Sequence, residues 1–81
     1  MRVRLCAFAR VREILGTGEE SLAVSDGASI EAVWRSLIER FPLLATLRSS
    51  VRFVRNGQVV EADMRLQEGD ELALLPPSSG G

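Results

Sequence analysis

The 81 residues predict an α+β domain of two layers, with one main helix packed on a mixed sheet. Three observations carry this. The opening residues alternate apolar and polar, which is the period of a half-buried strand. A single apolar stripe at helical spacing runs from Ile30 to Phe41. Further strand-like runs follow that helix, two of them joined by Asn56-Gly57, a strong hairpin signal. Strands on both sides of one helix fit a sheet covered by that helix.

The first strand is predicted over Arg2–Ala9, with Val3, Leu5 and Ala7 facing in and Arg2, Arg4, Cys6 and Phe8 facing out. That places an aromatic ring in solvent at Phe8. Arg10–Leu15 suits a short helix closed by Gly16. Gly16-Thr17-Gly18 is a turn, and it lacks the lysine and further glycine of a phosphate loop. Glu20–Val24 reads as a second strand pairing back on the first, and Ser25-Asp26-Gly27 ends it. Ser29 is placed to cap the main helix, with Glu31 in the first turn where the dipole favours an anion. Ile30, Val33, Trp34, Leu37, Ile38 and Phe41 form its buried stripe, and Pro42 stops it. Trp34 is therefore assigned to the core. Leu43–Ser50 is a connector with room for a helical turn. Val51–Arg55 and Gln58–Glu61 form the hairpin around Asn56-Gly57. Glu68-Gly69-Asp70 is a turn, and Asp70 and Glu71 read as turn and solvated strand end rather than a carboxylate pair. In the last strand, Glu71–Leu75, Leu72 and Leu74 face in and Glu71, Ala73 and Leu75 face out. The domain is assigned to residues 1–76.

After it the sequence reads Pro76-Pro77-Ser78-Ser79-Gly80-Gly81. The prolines end a strand and favour an extended backbone. Serine and glycine bury little, so residues 77–81 are expected to form a flexible tail. Ser78 to Gly81 can project on the order of 13 Å at ~3.3 Å per residue. Glycine has no Cβ, so such a tip fits a slot closed to other residues.

Composition narrows the chemistry. An apolar share of 46% with 26% charged residues is that of a chain with a core. A formal net charge of −1 provides no basic field for nucleic acid or an anionic membrane. No apolar run reaches the ~20 residues of a membrane span, and Arg2 and Arg4 break any signal-peptide pattern. One cysteine makes no internal disulfide, which fits a cytoplasmic setting. With no histidine, the commonest general base is missing, and no zinc site can be built from nitrogen and sulfur ligands. All ten basic residues are arginine, so no side-chain amine exists on which copies of the chain could be linked through isopeptide bonds.

The element order with a diglycine end resembles the ubiquitin-like β-grasp pattern. More specific words are present. Phe8-Ala9-Arg10-Val11-Arg12-Glu13-Ile14-Leu15-Gly16 resembles the F-A-x-x-R-E-x-x-G opening of the MoaD branch of the MoaD/ThiS sulfur carriers, the small subunits of molybdopterin synthase. Asn56-Gly57, the stretch Leu66–Leu75 and Pro76-Pro77 with the terminal Gly-Gly also fit, so the likeness spans the chain. Ser78 stands where the family often carries valine.

The resemblance implies a non-catalytic carrier that binds no cofactor of its own. An adenylating enzyme of the ubiquitin-activating type would use ATP to activate Gly81. A persulfide donor would then convert it to a thiocarboxylate. The tail, with Pro77, Ser79 and Gly80, would thread into the large catalytic subunit and deliver sulfur to cyclic pyranopterin monophosphate. Phe8, Arg12, Val59 and Leu75 are implied as the docking face for both partners; alternation independently puts Phe8 and Leu75 outside. Other expectations stay open: a carrier for thiamine thiazole or tRNA thiolation, a ubiquitin-like protein modifier, or a binding module with an inert tail. The Arg-Glu opening and the Pro-Pro pair speak against the thiamine branch.

Overall fold

The computed structural model describes residues 1–76. Pro77, Ser78, Ser79, Gly80 and Gly81, the whole of the expected tail, lie outside the described residues.

Five strands and two α-helices follow in chain order: β1 (Arg2–Ala7), α1 (Ala9–Leu15), β2 (Glu19–Ala23), α2 (Ile30–Arg40), a 3-10 helix (Pro42–Leu47), β3 (Arg52–Arg55), β4 (Gln58–Val60) and β5 (Glu71–Leu75). The sheet order is β2-β1-β5-β3-β4. The first and last strands run parallel at its centre, with Ala7 level with Leu74, and the remaining pairs are antiparallel. This is the mixed β-grasp sheet expected from the sequence.

Local chemistry accounts for the elements. The Ser29 hydroxyl accepts the Ala32 N–H at 3.1 Å and caps α2. Gly16 takes φ 79° and closes α1, its N–H donating to the Arg12 carbonyl. Asn56 and Gly57 take φ 48° and 85°, the two left-handed positions that a type I′ hairpin needs. Ile30, Val33, Trp34 and Leu37 are buried against Leu5, Leu72, Leu74 and Phe53 from the sheet. The Trp34 and Phe53 rings meet edge to face at 5.8 Å. Removing an indole from such a core costs about 3–5 kcal/mol.

The structure differs from the sequence reading in several places. β1 ends at Ala7, because Phe8 becomes the N-cap of α1 and Ala9 takes φ 49°. Ile38 and Phe41 are only half-buried and pack against the margin of the core. Ala73 is on the outer face but only 9% exposed. It sits on the central strand between Cys6 and Val54, and those neighbours cover its single methyl. Asp70, read as part of a solvated turn, is 6% exposed and anchors the entry to β5. Its carboxylate accepts from Arg55 Nε at 2.7 Å, Asn56 Nδ2 at 3.0 Å and the Gln67 N–H at 2.8 Å.

Candidate functional site

The helices cover one face of the sheet and leave the other open. Register builds the open face. Cys6 lies level with Ala73, Ala73 with Val54, and Val54 with Val59, giving a short-chained row across four strands. The next row toward the end of β5 holds Leu75, opposite Arg52. Phe8 follows Ala7, whose partner is Leu74, and so comes level with Leu75. Phe8 is 47% exposed and Val59 64% exposed, two of the largest apolar exposures among the described residues. Leu75 is half-buried, being flanked on both sides where alternation alone predicted a free side chain.

The β1–α1 junction sets the aromatic in place. Phe8 has extended backbone, φ −133° and ψ 154°, and contributes no side-chain cap. Its carbonyl instead accepts the Val11 and Arg12 N–H groups, at 3.1 and 3.3 Å. The chain then turns through the left-handed Ala9, a conformation that L-residues adopt at a cost of about 1–2 kcal/mol. Strain of this kind tends to collect at working surfaces.

Arg12 is exposed on α1 and leans the other way, over the turn after the helix. A Cβ added to Gly18 would stand 3.3 Å from Arg12 Nε. No described contact brings its guanidinium onto the Leu75–Val59 patch. The expected partner-binding residues thus form two groups, with Phe8, Leu75 and Val59 on the open sheet face and Arg12 at the α1 end.

Charge borders the apolar rows. Arg4 and Glu19 pair through two hydrogen bonds of 2.8 and 2.6 Å beside Cys6, and Glu71 lies opposite Arg4. Partial burial, with the charges of Glu71 and Glu19, pushes the Cys6 thiol up, so it stays protonated and a poor nucleophile. This suits a packing role. The sequence reading placed Cys6 and Ala73 on this face but did not name Val54. Its alternation with Phe53 was the available signal. Among the described residues no group of His, Cys, Asp or Glu side chains could hold a metal ion, and no helix is long and apolar enough to cross a membrane.

The patch lies where β5 ends, so a partner seated on Phe8 and Leu75 would stand beside Pro76, the last of the described residues. The geometry offers an exposed apolar surface beside the end of β5.

Known proteins give the family. The ThiS family model matches residues 7–81. The molybdopterin synthase sulfur carrier subunit of Aedes aegypti is 41% identical over 88 aligned positions, covering 100% of this chain and 90% of that protein. Among solved structures, a putative molybdopterin converting factor subunit 1 from Pyrococcus furiosus superposes with a TM-score of 0.85 at 25% identity, covering 95% and 98% of the two chains. The small archaeal modifier protein 1 of Methanosarcina acetivorans does so with a TM-score of 0.83 at 28% identity, covering 99% and 96%. The chain belongs to the ThiS family, in the branch of the molybdopterin synthase sulfur carrier subunits.

Proposed function

We propose that the protein is the sulfur carrier of a molybdopterin synthase, working through a thiocarboxylate on Gly81. The observation that carries this is similarity along the whole chain, through the terminal Gly-Gly, to relatives bearing that name. The open patch beside the end of β5 supports it, because a carrier must be held by partners close to its reactive end.

Chemistry dictates the division of labour. The α-carboxyl ionises near pH 3.5, so at neutral pH it is a carboxylate and a poor electrophile. An ATP-dependent adenylating enzyme activates it as an acyl-adenylate. The outer sulfur of a persulfide donor attacks the acyl carbon and expels AMP, giving an acyl disulfide; a thiol of the donor system then cleaves its S–S bond, forming a disulfide and releasing the thiocarboxylate. The large subunit of the synthase then binds the domain through Phe8, Leu75 and Val59, with Arg12 at the margin. Pro77, Ser79 and Gly80 line the thread, and cyclic pyranopterin monophosphate receives the sulfur. Acid–base and phosphate-binding groups come from the large subunit.

Reconstitution tests this. The thiocarboxylated chain, mixed with the large subunit and cyclic pyranopterin monophosphate, is expected to yield molybdopterin. Failure of the loaded chain where an established carrier succeeds overturns the assignment. Delivery to a thiamine or tRNA thiolation system alone would move the chain to another sulfur route.

The likeness to small archaeal modifier protein 1 favours a second reading, attachment of Gly81 to lysines of other proteins. Proteomic detection of Gly81 remnants on lysine side chains is its sign.

A further inference from the structure

We propose that the edge of β2 and the groove between β2 and α2 form a docking site for an extended acidic and apolar segment of a partner protein, added as a further strand of the sheet. β2 is an outer strand, with only β1 beside it. Val24 donates its N–H to the Met1 carbonyl and Ala7 donates to the Gly18 carbonyl, which fixes the phase of the ladder. Leu22 and Glu20 therefore bond β1, and the backbone groups of Glu19, Ser21 and Ala23 point out of the sheet. Thr17 occupies the first of these, its hydroxyl donating to the Glu19 carbonyl at 2.8 Å and accepting the Glu19 N–H at 3.3 Å. Among the described residues, the N–H and C=O groups of Ser21 and Ala23 have no partner. Natural edges are usually blunted, and here the blunting stops after Glu19.

Beside these groups the helix stands back. Two adjoining cavities of about 340 and 220 Å³ follow the strand, with Leu22 and Val24 on one wall and Val33, Ser36 and Leu37 on the other. A strand paired to Ser21 and Ala23 would send alternate side chains over this groove, where small apolar groups fit.

Charge selects the occupant. The Arg2 guanidinium holds only the Ser21 hydroxyl, at 3.2 Å, and has no carboxylate within 4 Å among the described residues. Arg40 reaches across from α2 and meets Glu20 at 3.1 Å. Glu19 is taken by Arg4 and Glu20 by Arg40, which leaves the Arg2 guanidinium to meet a carboxylate of the occupant and favours an acidic segment. The opposite edge, β4, carries Val59, so the β2 site can be filled while the Phe8–Leu75–Val59 face is engaged. Docking at β2 does not depend on the tail chemistry.

The test is amide exchange followed by NMR on the full chain, using a synthetic peptide that alternates glutamate with valine and isoleucine. Exchange at Ser21 and Ala23 is expected to slow by about tenfold or more, while Glu20 and Leu22, already bonded to β1, hold their rates. Arg2→Glu should weaken binding about tenfold. Ser21→Pro, which removes an outward N–H that an edge strand can spare, should weaken it as well with the fold intact. A peptide with lysine for glutamate should not bind. Unchanged exchange at Ser21 and Ala23 with excess peptide overturns the proposal. So does protection that rises with protein concentration alone, which would assign the edge to a second copy, or perturbation centred on Phe8 and Val59.

Discussion

The two ends of β5 are built on opposite plans. At its start, the buried Asp70 carboxylate gathers Arg55, Asn56 and the Gln67 N–H, and its own carbonyl accepts the Arg4 N–H at 2.8 Å. Asn56 adds a second tie, its side-chain oxygen accepting the Glu71 N–H at 2.9 Å. At the strand's other end, Leu75 is half-buried beside an exposed Phe8, and no comparable polar network holds it among the described residues. One end is fixed in the domain by polar ties, while the other presents an apolar surface. Substitutions at the two ends should therefore fail in different ways.

The largest effect is expected beyond the Leu75 end. Deleting Gly81 should abolish sulfur transfer and leave the circular dichroism spectrum and thermal midpoint unchanged. Activity retained in a reconstituted assay would break the comparison, since Gly81 would then carry no chemistry.

Next comes the fixed end. Asp70→Ala strips the partners of Arg55 and Asn56 and should cost about 2–4 kcal/mol of stability. Burial alone would push the Asp70 carboxyl up. The hydrogen bonds from Arg55, Gln67 and Asn56, with the Arg55 charge, outweigh it and hold the group below the usual carboxylate range. The sign follows from a lowered folded-state pKa. The contribution is complete above the ordinary value of about 3.9 and is lost as pH falls through the lower folded one. Urea melts of the native chain and Asp70→Ala should converge at low pH; a constant gap would remove Asp70 from the anchor.

Phe8→Ala should show the converse profile. Large-subunit affinity is expected to fall by about 1–3 kcal/mol, while stability moves by about 0.5 kcal/mol or less. Calorimetric titration against a melt of the same variant separates the two. Equal losses in both would make Phe8 a structural residue.

The smallest effect sharpens the junction. Ala9→Gly relieves a left-handed backbone and should raise stability by about 0.5–1 kcal/mol, read by thermal melting. If Phe8 is held outward by this turn, the same change loosens the ring and weakens docking slightly. A destabilised Ala9→Gly would contradict the backbone reading.

Much of this was legible locally. The α2 stripe, its Ser29 cap and the Asn56-Gly57 turn depend on residues close in sequence, and the structure bears them out. The alternation of β1 placed Phe8 outside. Asp70 was missed because its partners Arg55 and Asn56 lie about fifteen residues away and meet it only through the β3–β5 register. A carboxylate after a glycine turn looks solvated until that register is known. Ala73 was placed on the correct face, but its cover comes from neighbours in other strands. The end of β1 was misplaced because nothing local announces a non-glycine residue in the left-handed region at Ala9. As for the site, the proposed docking residues could be nominated from alternation and resemblance. Their division into a sheet-face group and a separate Arg12 needed the packing of Arg12 over Gly18.

The central claim is that Gly81 is loaded with sulfur by other proteins. The most direct measurement is the intact mass of the chain isolated from cells with molybdenum cofactor synthesis running, with fragmentation to locate any change. The account predicts replacement of one carboxylate oxygen by sulfur at Gly81, lost when the adenylating enzyme is deleted. A terminus that stays an ordinary carboxylate in such cells, with cofactor assembly proceeding, would contradict it.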